Sequence, residues 1–191
     1  MEFILILAVL AIVYVYIHNG LVSSKLKVDE GWSGITFQLK RRHALVHNLV
    51  EAVQSAINQE MSIIDTIVDA RTKALSAVAQ NNHAKVTEAE ADLSNALRAF
   101  IAHTENRPEL ASSATIGKLQ SLLEDTEDQI YAARRLYNGN AQTYNGKVLR
   151  IPWNFIALIK GFKTVHRYEV DPVEIKITSR KVGLNLAASK A

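Results

Sequence analysis

The 191-residue chain contains no cysteine, three prolines and eight glycines, and each shortage removes a class of protein. Without cysteine there is no disulfide framework, no thiolate metal site and no cysteine nucleophile. Sparse proline and glycine leave long stretches free of helix breakers, as a helical bundle requires. Aromatic residues make up 7% of the chain and the net charge is only +3. No basic stripe interleaved with aromatics stands out, so nucleic acid is not an expected partner. A Gly-rich phosphate loop, a Gly-x-Ser-x-Gly elbow, a His-Glu-x-x-His pair and the Glu-x-x-His pairs of di-iron bundles are also missing. Neither an enzyme nor a cofactor is expected.

Long apolar runs are scarce too, and the single example places the protein. Phe3 to Ile17 holds fifteen residues without a charge, and eleven of them are Phe, Ile, Leu or Val. Such a run favours insertion by about 3–7 kcal/mol before polar costs. As a helix it rises ~22 Å, so it needs Met1, the following His18-Asn19-Gly20 collar and Leu21-Val22 to cross a bilayer core of ~30 Å. A cleaved signal peptide would need a basic start and small residues at its end. Here the start carries Glu2 and the end carries Tyr14-Val15-Tyr16-Ile17, with both tyrosines suited to an interfacial belt. Lys25, Lys27, Lys40, Arg41 and Arg42 all follow the run and no Lys or Arg precedes it. The positive-inside rule then puts the amino terminus outside and the bulk of the chain in the cytoplasm.

Beyond the anchor, apolar or small residues recur at three-four spacing through Ile35, Leu39, Val46, Leu49, Val53, Ala56, Ile63, Ile67, Ala70 and Ala74. That is the helical period with a bundle-like or coiled-coil-like seam, read as one helix or as two joined near Asn58. The polar break Gln80-Asn81-Asn82-His83 ends it. A second seam runs through Val86, Leu93, Leu97 and Phe100 and stops before Arg107-Pro108. Ser112, Ser113 and Thr115 offer helix-start chemistry. A third seam follows at Ile116, Leu119, Leu123, Ile130, Ala133, Tyr137, Tyr144, Val148 and Ile151, ending at Pro152. The expected fold is all-α: a single transmembrane helix (1–22), an antiparallel up-and-down four-helix bundle (23–170), and an extended strap with a disordered tail (171–191) carrying Val173, Ile175 and Ile177.

Several residues stand out chemically. Arg42 and Glu60 break the first seam in phase, five turns apart, so both point inward. A buried charge needs a partner: Glu124 or Glu127 for Arg42, and Arg134 or Arg71 for Glu60. His43, His47 and Glu51 follow one another at i, i+4 with donors suited to zinc or iron, although surface histidines are the plainer reading and no metal is expected. From Trp153 to Lys163 the texture turns compact and apolar. Either a short helix packs over the end of the bundle, or Trp153, Phe155, Ile156 and Phe162 sit at an acyl boundary with Lys160 and Lys163 on anionic headgroups.

The blocks Trp32-Ser33-Gly34-Ile35-Thr36-Phe37-Gln38-Leu39-Lys40-Arg41-Arg42, Asn48-Leu49-Val50-Glu51, Ala70-Arg71-Thr72-Lys73-Ala74, Thr126-Glu127, Ala133-Arg134-Arg135-Leu136-Tyr137-Asn138 and Tyr144-Asn145 resemble the LemA family in order and spacing. So does the close, Ile151-Pro152-Trp153-Asn154-Phe155-Ile156-Ala157 with Gly161-Phe162. Thr36, His47 and Gln59 depart from the family pattern, and His47 falls at a site the family does not use for metal. The resemblance implies a bacterial inner-membrane protein with one amino-terminal span and a cytoplasmic four-helix bundle, of unestablished biochemical activity. Some relatives occur among proteins that build magnetosome membranes. It also carries over Arg41, Arg42, Asn48, Glu51, Glu127, Arg134, Tyr137, Asn138, Tyr144 and Asn145, expected together with Glu60 to form a buried polar network that fixes helix register.

Three functions follow as expectations. The first is a membrane-anchored scaffold that binds lipid through residues 3–22 and recruits an unnamed protein, with a second copy of the chain as a further candidate partner. The alternative is a lipid-binding, membrane-organising module that uses Trp153 to Phe162. The third is a small-ligand or metal enzyme with a pocket at Arg42, Glu60 or His43.

Overall fold

A single helix both leaves the apolar run and builds the domain. In the computed structural model, which describes residues 1–56 and 62–168, α1 spans Glu2–Ala56, 55 residues without interruption. It is ~82 Å long at 1.5 Å per residue. The His18-Asn19-Gly20 collar, read from sequence as a boundary, lies inside it, because nothing there breaks the hydrogen-bond ladder. Every residue from Met1 to Tyr16 is exposed, and Ile17 is the first buried one. The exposed part of α1 therefore ends one residue before the expected apolar run does. Ile17 and Leu21, placed in the anchor by sequence, belong to the core of the bundle.

The other elements are α2 (Ser62–Ala79), α3 (His83–Glu105), the single turn α4 (Pro108–Ala111), α5 (Ala114–Leu149) and α6 (Trp153–Lys160). All described elements are helical, as the seams predict. The breaks have local causes. Asn81 takes a left-handed φ of 51°, and Asn82 caps α3 by accepting from the Lys85 backbone N–H. Ser113 caps α5 through the Ile116 N–H, each cap satisfying a donor that the first helical turn leaves open. Pro108 sits at the start of α4, where its missing N–H costs nothing.

α1 and α5 run antiparallel as the central pair. They approach closely at Gly31, where a Cβ would lie 3.0 Å from the Cα of Tyr137, a distance that leaves room for glycine and crowds a larger residue. The α2–α3 hairpin covers the far half of this pair. Their shared core contains Val46, Leu49, Val53, Ile67, Leu93 and Phe100. A second cluster fills the half nearer the amino-terminal run, with Leu21, Val28, Leu39, Tyr137, Tyr144 and Ala157. Asn58 and Glu60, and the whole stretch 171–191, lie outside the described residues.

Candidate functional site

The end of the bundle beside the apolar run is built by α6. This helix is short because Gly161, at φ 73°, caps it in the left-handed region that favours glycine. Trp153 reaches back onto α1: a Cβ on Gly20 would meet its ring at 2.5 Å. Tyr16 lies 5.9 Å from the indole between ring centroids, and the Lys147 ammonium lies 5.1 Å above it. Lys147 also donates to the Gly20 carbonyl at 3.2 Å and to the Ser24 hydroxyl at 2.6 Å. The contact thus ties α1, α5 and α6 together one turn from the point where α1 loses its protein neighbours. On the opposite side of α6, Phe155, Leu158 and Ile159 are 60%, 83% and 77% exposed, next to exposed Leu149 and Ile151. The two sequence readings of this segment divide by residue. Trp153, Ile156 and Phe162 are half-buried against the bundle, whereas Phe155, Lys160 and Lys163 face outward.

Past Gly161 the chain extends along α5, held by a repeat of α5 itself. Tyr144 donates to the Lys163 carbonyl at 2.9 Å, and Tyr137, seven residues earlier, donates to the His166 carbonyl at 2.8 Å. Asn145 closes two bonds on Val165, 2.8 and 2.9 Å. Asn138 closes two on Tyr168, 2.9 and 2.7 Å. Seven helical residues rise ~10.5 Å, and three extended residues span ~10 Å. One strap step of three therefore matches two turns of α5. Arg134 stacks over the Tyr168 ring at 4.5 Å from its centroid. Burial, with Asp29 adding to it, pushes the Tyr137 and Tyr144 phenols above their ordinary value, which keeps both as donors. The strap expected at 171–191 lies outside the described residues; the extended segment 162–168 falls in the stretch that the sequence reading assigned to the bundle.

Between the two apolar clusters lies a polar layer. The Arg42 guanidinium donates to Ser94 at 2.8 Å and to Glu127 at 3.3 Å, and it stands 3.6 Å from Glu90. Glu90 is wholly buried and pairs with His43 at 2.6 Å. Arg42 thus meets one of its expected acids, and the deeper acid is one that sequence reasoning missed. Its signal was available: Glu90 falls in phase with Val86, Leu93 and Leu97. The expected single network divides instead. Arg42 and Glu127 join the layer, while Arg134, Tyr137, Asn138, Tyr144 and Asn145 hold the strap. Arg41, Asn48 and Glu51 are exposed, Arg41 lying 3.8 Å from Asp125 and Glu51 3.3 Å from His47. The helical turn between residues 41 and 42 is about 100°, enough to carry one inward and the other to water. His43 is turned inward onto Glu90, whereas His47 and Glu51 are exposed and meet each other, so the three do not converge. Among the described residues no group of three or more His, Asp or Glu could hold a metal.

The LemA family model matches residues 31–180, from the middle of α1 through the strap. The chain belongs to the LemA family. Relatives include the magnetosome protein MamQ of Magnetospirillum gryphiswaldense, 34% identical over 84 residues that cover 44% of this chain and 31% of that protein. The magnetosome protein MamQ 2 of Paramagnetospirillum magneticum is 26% identical over 178 residues, covering 81% of this chain and 65% of its own. Protein LemA of Metamycoplasma hominis is 25% identical over 172 residues, covering 90% and 78%. The chain thus spans less than two thirds of the length of these two magnetosome relatives.

One further feature of this LemA-family bundle is a cavity of about 850 Å³ walled by Trp32, His83, Tyr137 and Tyr168. The Trp32 indole stacks on His83 with centroids 3.5 Å apart and donates to Asn81 at 3.0 Å. Burial holds the His83 imidazole below its ordinary 6.5, with Lys25 acting in the same direction and Asp29 against. Below pH 6.5 the unfolded chain therefore binds more protons than the folded one. This residue's contribution to stability is full above that pH and is lost as the pH falls toward the lowered value. Thermal unfolding between pH 7.5 and pH 5 should show a smaller loss in His83→Phe than in the wild type. Equal losses would assign the pH dependence to other groups.

Proposed function

We propose that the protein is a non-enzymatic, single-span membrane module whose bundle is seated on the bilayer by α6 and holds its far end at a fixed height. One observation carries this reading: the apolar outer face of α6 lies at the level where α1 passes from complete exposure into the bundle. α1 is long and apolar enough to cross a membrane, and a bilayer around Phe3 to Tyr16 would also receive Phe155, Leu158 and Ile159. Two attachments, one spanning and one interfacial, restrain the tilt that a lone helix would leave free. From Ile17 to Ala56 the helix rises ~60 Å, which sets how far the end of α1 stands from the headgroups. Lys25, Lys27 and the basic residues around α6 favour an amino terminus outside and a cytoplasmic bundle. The magnetosome names of two relatives support a place at a membrane by analogy.

A scaffold role at the far end is the second reading. It rests on the rigid geometry and on the groove of Asn48, Glu51, Ser55 and Lys118 between α1 and α5. The seating itself is tested through the absence of cysteine. The full chain carrying Leu158→Cys, labelled with an environment-sensitive fluorophore in vesicles, should emit as if in an apolar medium. The same label at exposed Thr143 should emit as if in water. Aqueous emission from residue 158 would remove the seat.

A further inference from the structure

We infer that the seated end of the bundle selects anionic phospholipid headgroups; this rests on the reading above and adds the chemistry of the surface it meets. The small net charge conceals a separation that only the fold reveals. From residue 129 to residue 168 there is no Asp or Glu, whereas Arg134, Arg135, Lys147, Arg150, Lys160, Lys163 and Arg167 all occur. In α1, residues 3 to 28 likewise hold Lys25 and Lys27 and no acid. The antiparallel pairing of α1 with α5 brings these two acid-free stretches to the same end, since Lys147 contacts Gly20 and the Asn140 side chain donates to the Lys27 carbonyl.

At that end the charges are not used up within the protein. Among the described residues Arg150, Lys160 and Lys163 have no carboxylate partner, and all three are exposed. Lys25 pairs with Asp29, Lys147 is engaged with Gly20 and Ser24, and exposed Lys27 stands ~15 Å along α1 from Ile17, so Arg150, Lys160 and Lys163 are the exposed cations that border α6. They flank the apolar face: Arg150 precedes α6, Lys160 closes it, and Lys163 follows the Gly161 cap. A basic rim around an apolar patch fits a leaflet rich in anionic headgroups, where the rim meets phosphate oxygens while Phe155, Leu158 and Ile159 enter the acyl boundary. Each cation held near such a surface strengthens binding roughly fivefold, and the gain fades beyond a Debye length of ~8 Å at physiological salt.

Trp153 provides the readout, because it lies in this junction. Trp32 stands ~22 Å farther along α1 from Ile17 and adds a constant background. The full chain is placed in mixed phosphatidylglycerol and phosphatidylcholine vesicles in which one lipid or the other carries bromine near the headgroup end of its acyl chain. Brominated phosphatidylglycerol is expected to quench Trp153 at least threefold more effectively than brominated phosphatidylcholine at equal mole fraction. That preference should fall toward one in 1 M salt and in an Arg150→Gln, Lys160→Gln, Lys163→Gln variant whose helical melting is unchanged. Equal quenching by both lipids overturns the selection and leaves the seat standing. Quenching by neither removes the seat and the selection together. A preference that survives the triple substitution overturns its assignment to these residues.

Discussion

Replacing Glu90 with leucine is expected to lower the stability of the folded chain by about 3–5 kcal/mol, among the largest effects of any single side chain outside the apolar cores. The carboxylate is wholly buried between Arg42 and His43. Removing it leaves a guanidinium that is 2% exposed with Ser94 and the partly exposed Glu127 as its partners. It also leaves the His43 Nε2 without its bond. Thermal unfolding of the full chain in detergent or nanodiscs, followed by circular dichroism, should shift down by roughly 6–20 °C for a domain of this size. Arg42→Met placed on top of Glu90→Leu should recover much of the loss, because an apolar pair of similar volume needs no counterion. A single substitution with no shift would show that the pair contributes nothing net, and a double variant as poor as the single would place the cost in packing. The layer separates the two apolar clusters, so it also sets the register of α3 on α1. A one-turn slip would bring Glu90 against leucine or valine.

The seams were legible in the sequence because a helix repeats its buried side every three or four residues, and the same arithmetic marked Arg42 as inward. Glu90 obeys that arithmetic as well, in phase with Val86, Leu93 and Leu97, but the mostly polar residues beside it on α3 mask the signal. The chain stops near Gln80 and Ser113 were legible from cap chemistry. The continuity of α1 was not. His18, Asn19 and Gly20 look like a collar when read alone, and their meaning depends on Trp153, 133 residues away along the chain, resting where Gly20 has no Cβ. The strap was illegible for a different reason. Asn138 and Asn145 read main-chain groups of Val165 and Tyr168, and main-chain groups leave no pattern in a sequence. What the sequence did hold was the Tyr-Asn pair repeated after seven residues, two helical turns, a hint that some other segment runs alongside. Likewise the acid-free stretch 129–168 is plain in the sequence, but only the antiparallel pairing of α1 with α5 shows that it meets Lys25 and Lys27.

Changing Phe155, Leu158 and Ile159 together to glutamine is expected to release the bundle from the bilayer while leaving it folded. These side chains are largely exposed and contribute little to the core, so the melting temperature should stay within a degree or two. Burying each in a membrane boundary is worth about 1.5–3 kcal/mol at full transfer. Three together amount to roughly 4.5–9 kcal/mol, a population ratio on the order of a thousand or more between seated and unseated states. The glutamine variant should show weaker quenching of Trp153 by brominated lipid, with a remainder because the indole stays packed on Gly20 of the inserted helix. It should also lose protection of α6 amides from hydrogen exchange in vesicles, while α1 remains inserted. Gly20→Leu provides the converse. Its side chain would displace the Trp153 ring, so α6 should loosen from α1 and the stability should fall, although the apolar face itself is unaltered. If the glutamine variant keeps both its full quenching and its α6 protection, the bilayer is not what covers this face and the seat is refuted. If it loses quenching but melts far below the wild type, these residues support the fold, and α6 packs more tightly on the bundle than its exposure indicates.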